Sequence, residues 1–126
     1  MRIEHIALWV NDLENTKAFY MKYFHASCND LYTNEMRGFS SYFLTFSGAA
    51  RLEIMKMHQV DKKAEPFQLG WAHMAISVGS KEDVDELTEQ LREDGYTIFG
   101  EPRITGDGYY ESVVLDPEGN HVEITL

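Results

Sequence analysis

Trp71-Ala72-His73-Met74-Ala75-Ile76-Ser77-Val78 is a second edition of Ile3-Glu4-His5-Ile6-Ala7-Leu8-Trp9-Val10. In each stretch a histidine stands inside an alternating run, an alanine follows two residues on and a valine five on, and a charged helical pattern comes next. A stretch that recurs in the same context marks duplicated supersecondary units, and two copies give a pseudo-symmetric domain rather than a solenoid. The chain therefore reads as one domain, 1–126, built from a first repeat (1–57), a linker (58–70) and a second repeat (71–126).

Working outward from the two copies, the period of the apolar residues assigns the elements. Arg2 to Val10 alternates as a strand, with Ile3, His5, Ala7 and Trp9 on one face and Ile6, Leu8 and Val10 on the other. Asn11-Asp12 offers an N-cap, and Leu13, Thr16, Phe19, Tyr20, Tyr23 and Phe24 recur at helical spacing, predicting a helix over 13–24. Three strands are predicted near 28–33, 39–47 and 50–57, the last two joined by Ser47-Gly48-Ala49. The polar, proline-broken run His58 to Pro66 is the linker. After the strand around His73, Ser80 and Asp83 form an acidic capping box for a helix over 81–94, closed by Gly95. Short strands at 96–99, 109–115 and 121–126 follow, the last two joined by Asp116-Pro117-Glu118-Gly119-Asn120. The predicted fold class is α+β: two βαβββ modules forming an open, pseudo-two-fold β trough with helices outside.

At 126 residues and 44% hydrophobic the chain has enough apolar mass for one core. Lys+Arg 11 against Asp+Glu 21 gives a net charge of −10, which argues against nucleic acid and anionic lipid as partners. A single cysteine, Cys28, excludes an internal disulfide and a multi-cysteine metal site, and fits a reducing cytoplasm. No apolar run reaches the roughly 18 residues a membrane helix needs, and the amino terminus enters a strand without a signal-peptide core. The expectation is a soluble, unprocessed, cytoplasmic protein.

The doubling also exposes a constellation. His73 follows His5 by 68 positions and Glu123 follows Glu53 by 70, each glutamate on the last strand of its repeat. A lone histidine in a strand is ordinarily a satisfied structural residue, but a pair at matching repeat positions is not an ordinary coincidence. Glu53 alternates against Leu52 and Ile54, and Glu123 against Val122, Ile124 and Leu126, so both carboxylates should face away from the helices. With strands curled into a trough, His5, Glu53, His73 and Glu123 all point into it. Two imidazoles, two carboxylates and no thiolate suit a divalent transition metal, Zn²⁺ or Ni²⁺ first, with Co²⁺, Mn²⁺ or Fe²⁺ as alternatives, with positions left open for water or substrate. His121 shares the Glu123 face and is a candidate pocket residue. Arg51, Arg103, Tyr109 and Tyr110 are candidates for substrate contact that the sequence does not rank.

These motifs resemble the vicinal oxygen chelate superfamily, which includes glyoxalase I, fosfomycin-resistance thiol transferases, extradiol dioxygenases and bleomycin-binding proteins. The resemblance spans the chain and rests on Ile3–Leu8 with Asp12-Leu13 and Phe19-Tyr20, on Gly70–Ile76, and on Leu115–Ile124. It implies paired βαβββ modules, a homodimer, and a His/Glu/His/Glu ligand set at His5, Glu53, His73 and Glu123 like that of bacterial glyoxalase I. In that reading the protein is a carbon–sulfur lyase, of the lactoylglutathione lyase type, in which Glu123 and Glu53 are catalytic and move a proton between two carbons, Glu123 as the base.

The sequence departs from the glutathione-specific members at two places. Four residues after the first ligand, where those enzymes usually carry an arginine, stands Trp9, and four residues after the first glutamate, often an asparagine there, stands Met57. Trp9, Met55 and Met57 give a greasier pocket mouth, which speaks against glutathione and for another thiohemiacetal or vicinal-oxygen small molecule. Two alternatives are a fosfomycin-type thiol transferase, whose relatives typically use three protein ligands, and a non-catalytic drug-binding module, which typically lacks them. An extradiol dioxygenase uses two histidines and one carboxylate, so Glu53 would be one too many.

Overall fold

The first helix begins where Asp12 can accept a hydrogen bond from the Asn15 backbone N–H (2.9 Å), which satisfies a donor that the first turn leaves orphaned. A computed structural model describes residues 1–63 and 69–126 of the chain; part of the predicted linker, 64–68, lies outside the described residues. The chain divides into two units, Met1–Ala64 and Glu65–Leu126.

In the first unit the order is β1 (His5–Trp9), α1 (Leu13–Phe24), β2 (Ser27–Cys28), β3 (Tyr32–Asn34), a 3₁₀ turn (Glu35–Arg37), β4 (Phe39–Thr45) and β5 (Arg51–Met57). β1 runs parallel to β5, and β5 antiparallel to β4, which carries β2 and β3 on its other edge. The helix ends at His25, in the left-handed region at φ 54°, with the Ala26 N–H reaching back to Tyr20. α1 lays Leu13, Thr16, Phe19, Tyr20, Tyr23 and Phe24 onto one face of the sheet, where Leu44, Leu52 and Ile54 are buried.

One predicted strand, 28–33, is in fact two. The Asn29 side-chain oxygen takes the Phe43 N–H (2.7 Å) in place of a backbone carbonyl, and the register against β4 slips by one residue before Tyr32 pairs with Ser41. A side chain that mimics the ladder breaks the strand without breaking the sheet.

The second unit repeats the topology: β6 (Met74–Ser77), α2 (Lys81–Glu93), β7 (Ile98–Ile104), β8 (Tyr110–Leu115) and β9 (His121–Thr125), with β6 parallel to β9, β9 antiparallel to β8, and β8 to β7. Ser80 caps α2 by accepting the Asp83 N–H (3.1 Å), and the left-handed Gly95 closes it, as predicted. α2 buries Val84, Thr88 and Leu91 against the sheet face that carries Val114, Val122 and Ile124. Both units are thus similar βαβββ modules, each an open sheet with one helix on one face.

Two strand boundaries differ from expectation. β6 runs only from Met74 to Ser77, so His73, around which the strand was expected, stands just before it. β7 does not stop at Phe99 but runs through Gly100 and Pro102 to Ile104, with register shifts on both sides of Gly100. An edge strand tolerates a proline and a glycine at bulges, so residues that read as terminators sit inside it.

The turn before β9 is tied by Asp116. Its buried carboxylate accepts the N–H groups of Glu118 (2.9 Å) and Asn120 (2.8 Å) and the Asn120 side-chain amide (3.0 Å). That network fixes where β9 begins, and so where Glu123 stands.

Candidate metal and substrate site

In the first module, strand alternation sends Leu52 and Ile54 under α1 and Glu53 to the opposite, open face. The parallel register sets His5 beside Arg51, Ala7 beside Glu53 and Trp9 beside Met55, so this face carries His5, Glu53, Trp9 and Met55 together, with Met57 one row further on. His5 Nε2 lies 3.9 Å from Glu53 Oε2, beyond hydrogen-bond distance, and the glutamate side chain is only 15% exposed. The other imidazole nitrogen, Nδ1, meets Glu4 Oε2, and Glu4 is also held by Arg51. The His5 hydrogen bond first, and Arg51 second, hold the Glu4 carboxyl below the usual carboxylate range. Glu4 thus stands behind Nδ1 while Nε2 faces Glu53, and a carboxylate behind one ring nitrogen is the arrangement that orients metal-binding histidines.

Phe43, in register with Glu53, forms the floor. The His5 ring meets it edge-on at 5.4 Å, and the Arg51 guanidinium lies 4.2 Å over its centre. Trp9 stands edge-on to Phe39 at 6.2 Å, and Phe39 pairs with Met57, so Phe39 adds a fourth apolar side chain to the face that carries Trp9, Met55 and Met57. A pocket of about 310 Å³ in this module, walled by residues that include Thr33, Phe39, Lys56 and His58, contains neither His5 nor Glu53.

In the second module Glu123 stands on the face opposite the buried Val122 and Ile124, and His73 lies just before β6. His73 Nδ1 is 3.2 Å from Glu123 Oε1, whose side chain is 17% exposed. His121 starts β9 on the Glu123 face and stacks on Phe99, ring centres 4.3 Å apart. Ala75, Glu123 and Val113 form one row, as Ala7, Glu53 and Phe43 do in the first module.

The structure therefore brings the predicted ligands together as two His/Glu pairs, one on each module's open face. Among the described residues no group of three or more His, Cys, Asp or Glu is placed to hold a metal ion. The donor chemistry of each pair, one nitrogen and one oxygen on a partly dry sheet face, fits a divalent transition ion. Two donors fall short of the three protein ligands a catalytic zinc takes. Phe43, Phe39, Phe99 and the pairing of Arg103 with Glu111 are not legible in the linear sequence, because only cross-strand register places them, while Glu4 adjoins His5 but lies on the other face of an ideally alternating strand.

Comparison with known proteins assigns the architecture. Residues 2–124 match the model of the glyoxalase/bleomycin resistance protein/dioxygenase superfamily. The chain belongs to this superfamily. Within it, the chain is 28% identical over 133 residues to "Uncharacterized protein YqjT" of Bacillus subtilis (strain 168), across 97% of this chain and 96% of that one. It is similar to glyoxalase I from Zea mays (TM-score 0.81, 25% identity), covering 98% of this chain but only 44% of the maize chain, so it spans less than half of that protein. A "possible Glyoxalase" from Bacillus cereus matches over 100% of this chain and 99% of its own (TM-score 0.75, 26% identity). Among the described residues no helix is long and apolar enough to cross a membrane.

Proposed function

We propose that this glyoxalase-superfamily chain is a glyoxalase I-like, metal-dependent lyase acting on a thiohemiacetal or similar vicinal-oxygen substrate. The single observation that carries this reading is the twinning of the His/Glu pair at equivalent rows of two modules with one topology. His5, Glu53, His73 and Glu123 are the residues that would hold the ion, Zn²⁺ or Ni²⁺ by donor type. When bound, such an ion supplies Lewis-acid stabilisation of the negative charge that develops on the vicinal oxygens as a C–H proton leaves. Glu123 takes that proton from the carbon bearing sulfur, and Glu53 assists its return to the neighbouring carbon, which converts the thiohemiacetal to a 2-hydroxy thioester with atoms conserved. His73, 3.2 Å from Glu123, holds that carboxylate in place, and His5, backed by Glu4, faces Glu53 across 3.9 Å. Trp9, Met55 and Met57, with Phe39, offer an apolar wall to the thiol portion, and His121 on Phe99 offers a ring edge near Glu123. The replacement of polar contacts by Trp9 and Met57 favours a thiol other than glutathione. The working form is a cytoplasmic homodimer.

The test is turnover of methylglyoxal adducts of several thiols, followed as thioester formation. The reading expects activity with at least one thiol other than glutathione, a loss of about 10²-fold or more in Glu123→Gln, and dependence on added Zn²⁺ or Ni²⁺. Bound metal without turnover for any thiol contradicts the lyase reading and leaves the fold untouched.

A further inference from the structure

Two arginines of the second module make contrasting ion pairs. Arg92 is locked fork to fork onto Glu101, Nη1 to Oε1 at 3.1 Å and Nη2 to Oε2 at 2.6 Å, and also reaches Glu89 at 3.1 Å. Among the described residues Arg103 has one carboxylate contact, Nη2 to Glu111 Oε1 at 3.3 Å, with Nη1 at 3.5 Å from the Glu101 carbonyl, and its side chain is 49% exposed. A charge-assisted pair usually closes to about 2.7–2.9 Å, so Glu111 steers Arg103 without consuming its fork.

The place to which Arg103 is steered is unusual. Arg103 pairs with Glu111, which pairs with Thr125, so all three share the open face on which Glu123 stands one row away. The bulges on either side of Gly100 turn the strand so that a Cβ added at Gly100 would stand 3.1 Å from Arg103 Nη1 and 3.3 Å from Val113 Cγ2. Gly100 has an ordinary backbone conformation, so the missing side chain makes room rather than freedom. The guanidinium therefore lies over the row Gly100–Val113–Glu123. With strands about 4.8 Å apart, it is roughly 10 Å from the position of Glu123, the length of a small substrate. Between them lies the apolar Val113.

We propose that Arg103 is an anion-binding residue of this face, seating a carboxylate at the end of a small-molecule substrate whose reacting end lies at Glu123. Glu111 and Gly100 are its positioning residues: one aims the guanidinium, the other leaves the floor open beneath it. A planar fork suits a carboxylate where a lysine would not. The proposal rests on the reading of the Glu123 face as the substrate side.

The test compares 3-(methylthio)propionate with its uncharged amide by amide NMR titration of the full chain, which requires neither metal nor turnover. The acid should shift Gly100, Glu111 and Val113 saturably and bind at least about tenfold tighter than the amide, a free-energy difference near 1.4 kcal/mol. In the R103Q/E111Q double variant, which strands no unpaired charge, that preference should vanish. R103K, which keeps the charge and loses the fork, should weaken the acid several-fold, and E111Q, which keeps the guanidinium but not the carboxylate that aims it, should also weaken the acid, by less than R103Q/E111Q. Equal binding of acid and amide, no saturable shift, or a preference that survives in R103Q/E111Q overturns the proposal; the last outcome is also what binding at a metal would give. Arginine-dependent binding in a protein that turns over no thiohemiacetal leaves this inference standing while the lyase reading fails.

Discussion

Thr16 on α1 and Thr88 on α2 are both buried against their sheets, four and eight residues past the caps Asp12 and Ser80, and their hydroxyls fare differently. Thr88 Oγ1 bonds the Val84 carbonyl and the Ser112 hydroxyl, both at 2.6 Å. Thr16 Oγ1 is buried without a hydrogen-bond partner among the described residues. A buried polar atom left unpaired costs about 1–3 kcal/mol, while a satisfied one contributes about 1. Thr16→Val should therefore raise stability by about 1 kcal/mol, and Thr88→Val, which strands Ser112, should lower it by about 1–2. Denaturant unfolding of the two variants gives the signs. The same scale shows what a sequence can and cannot carry. Glu53 and Glu123 were legible because strand alternation alone fixes their side of the sheet. Phe43 beneath His5 and Arg51, and Arg103 over Gly100, were not, because their neighbours lie on other strands and the register includes bulges.

Elements are joined here by exposed ionic links as well as by their cores. Arg92 on α2 grips Glu101 on β7, and Glu14 and Lys17 on α1 meet the Tyr42 hydroxyl on β4. Hydrogen bonds from Arg92 hold the Glu101 carboxyl below its ordinary range, and those from Lys17 and then Tyr42 do the same for Glu14. The Tyr42 hydroxyl is pushed up, first by its bond to Glu14, and Tyr110 likewise by Asp85. A carboxyl lowered by folding stabilises above its unfolded value and loses that contribution as pH falls through the folded one; a raised tyrosine stabilises below its unfolded value and loses it as pH rises. Melting temperature should thus fall from about pH 5 downward and again above about pH 10, with the acid limb shallower in Glu101→Gln and the alkaline limb shallower in Tyr42→Phe. An E101Q profile that superimposes on the parent would contradict the acid part. Both helices were legible nearly to the residue, since Asp12, Ser80 and Gly95 announce their ends. The 28–33 strand and β7 were not, because the Asn29 side chain replaces a ladder carbonyl and Pro102 lies where an edge strand does not need its N–H.

At the scale of the molecule, the repeated histidine stretch is repeated architecture: two βαβββ modules of one topology, each with one His/Glu pair on its open face. Sequence made that doubling and the family readable, because the spacing of His5, Glu53, His73 and Glu123 survives in linear form. The thiol and the ion are not written there, since they depend on how donors and apolar walls meet in three dimensions. The central proposal is that His5, Glu53, His73 and Glu123 are all ligands of a bound metal. The measurement that tests it most directly is the metal content and competitive-chelator affinity of the purified protein beside its H5A/E53Q and H73A/E123Q variants. The claim predicts about one tightly held Zn²⁺ or Ni²⁺ per chain and its loss from both variants alike, since either pair alone gives only two donors. Parent protein without stoichiometric metal, or a variant that loses one pair and retains the ion, would contradict it.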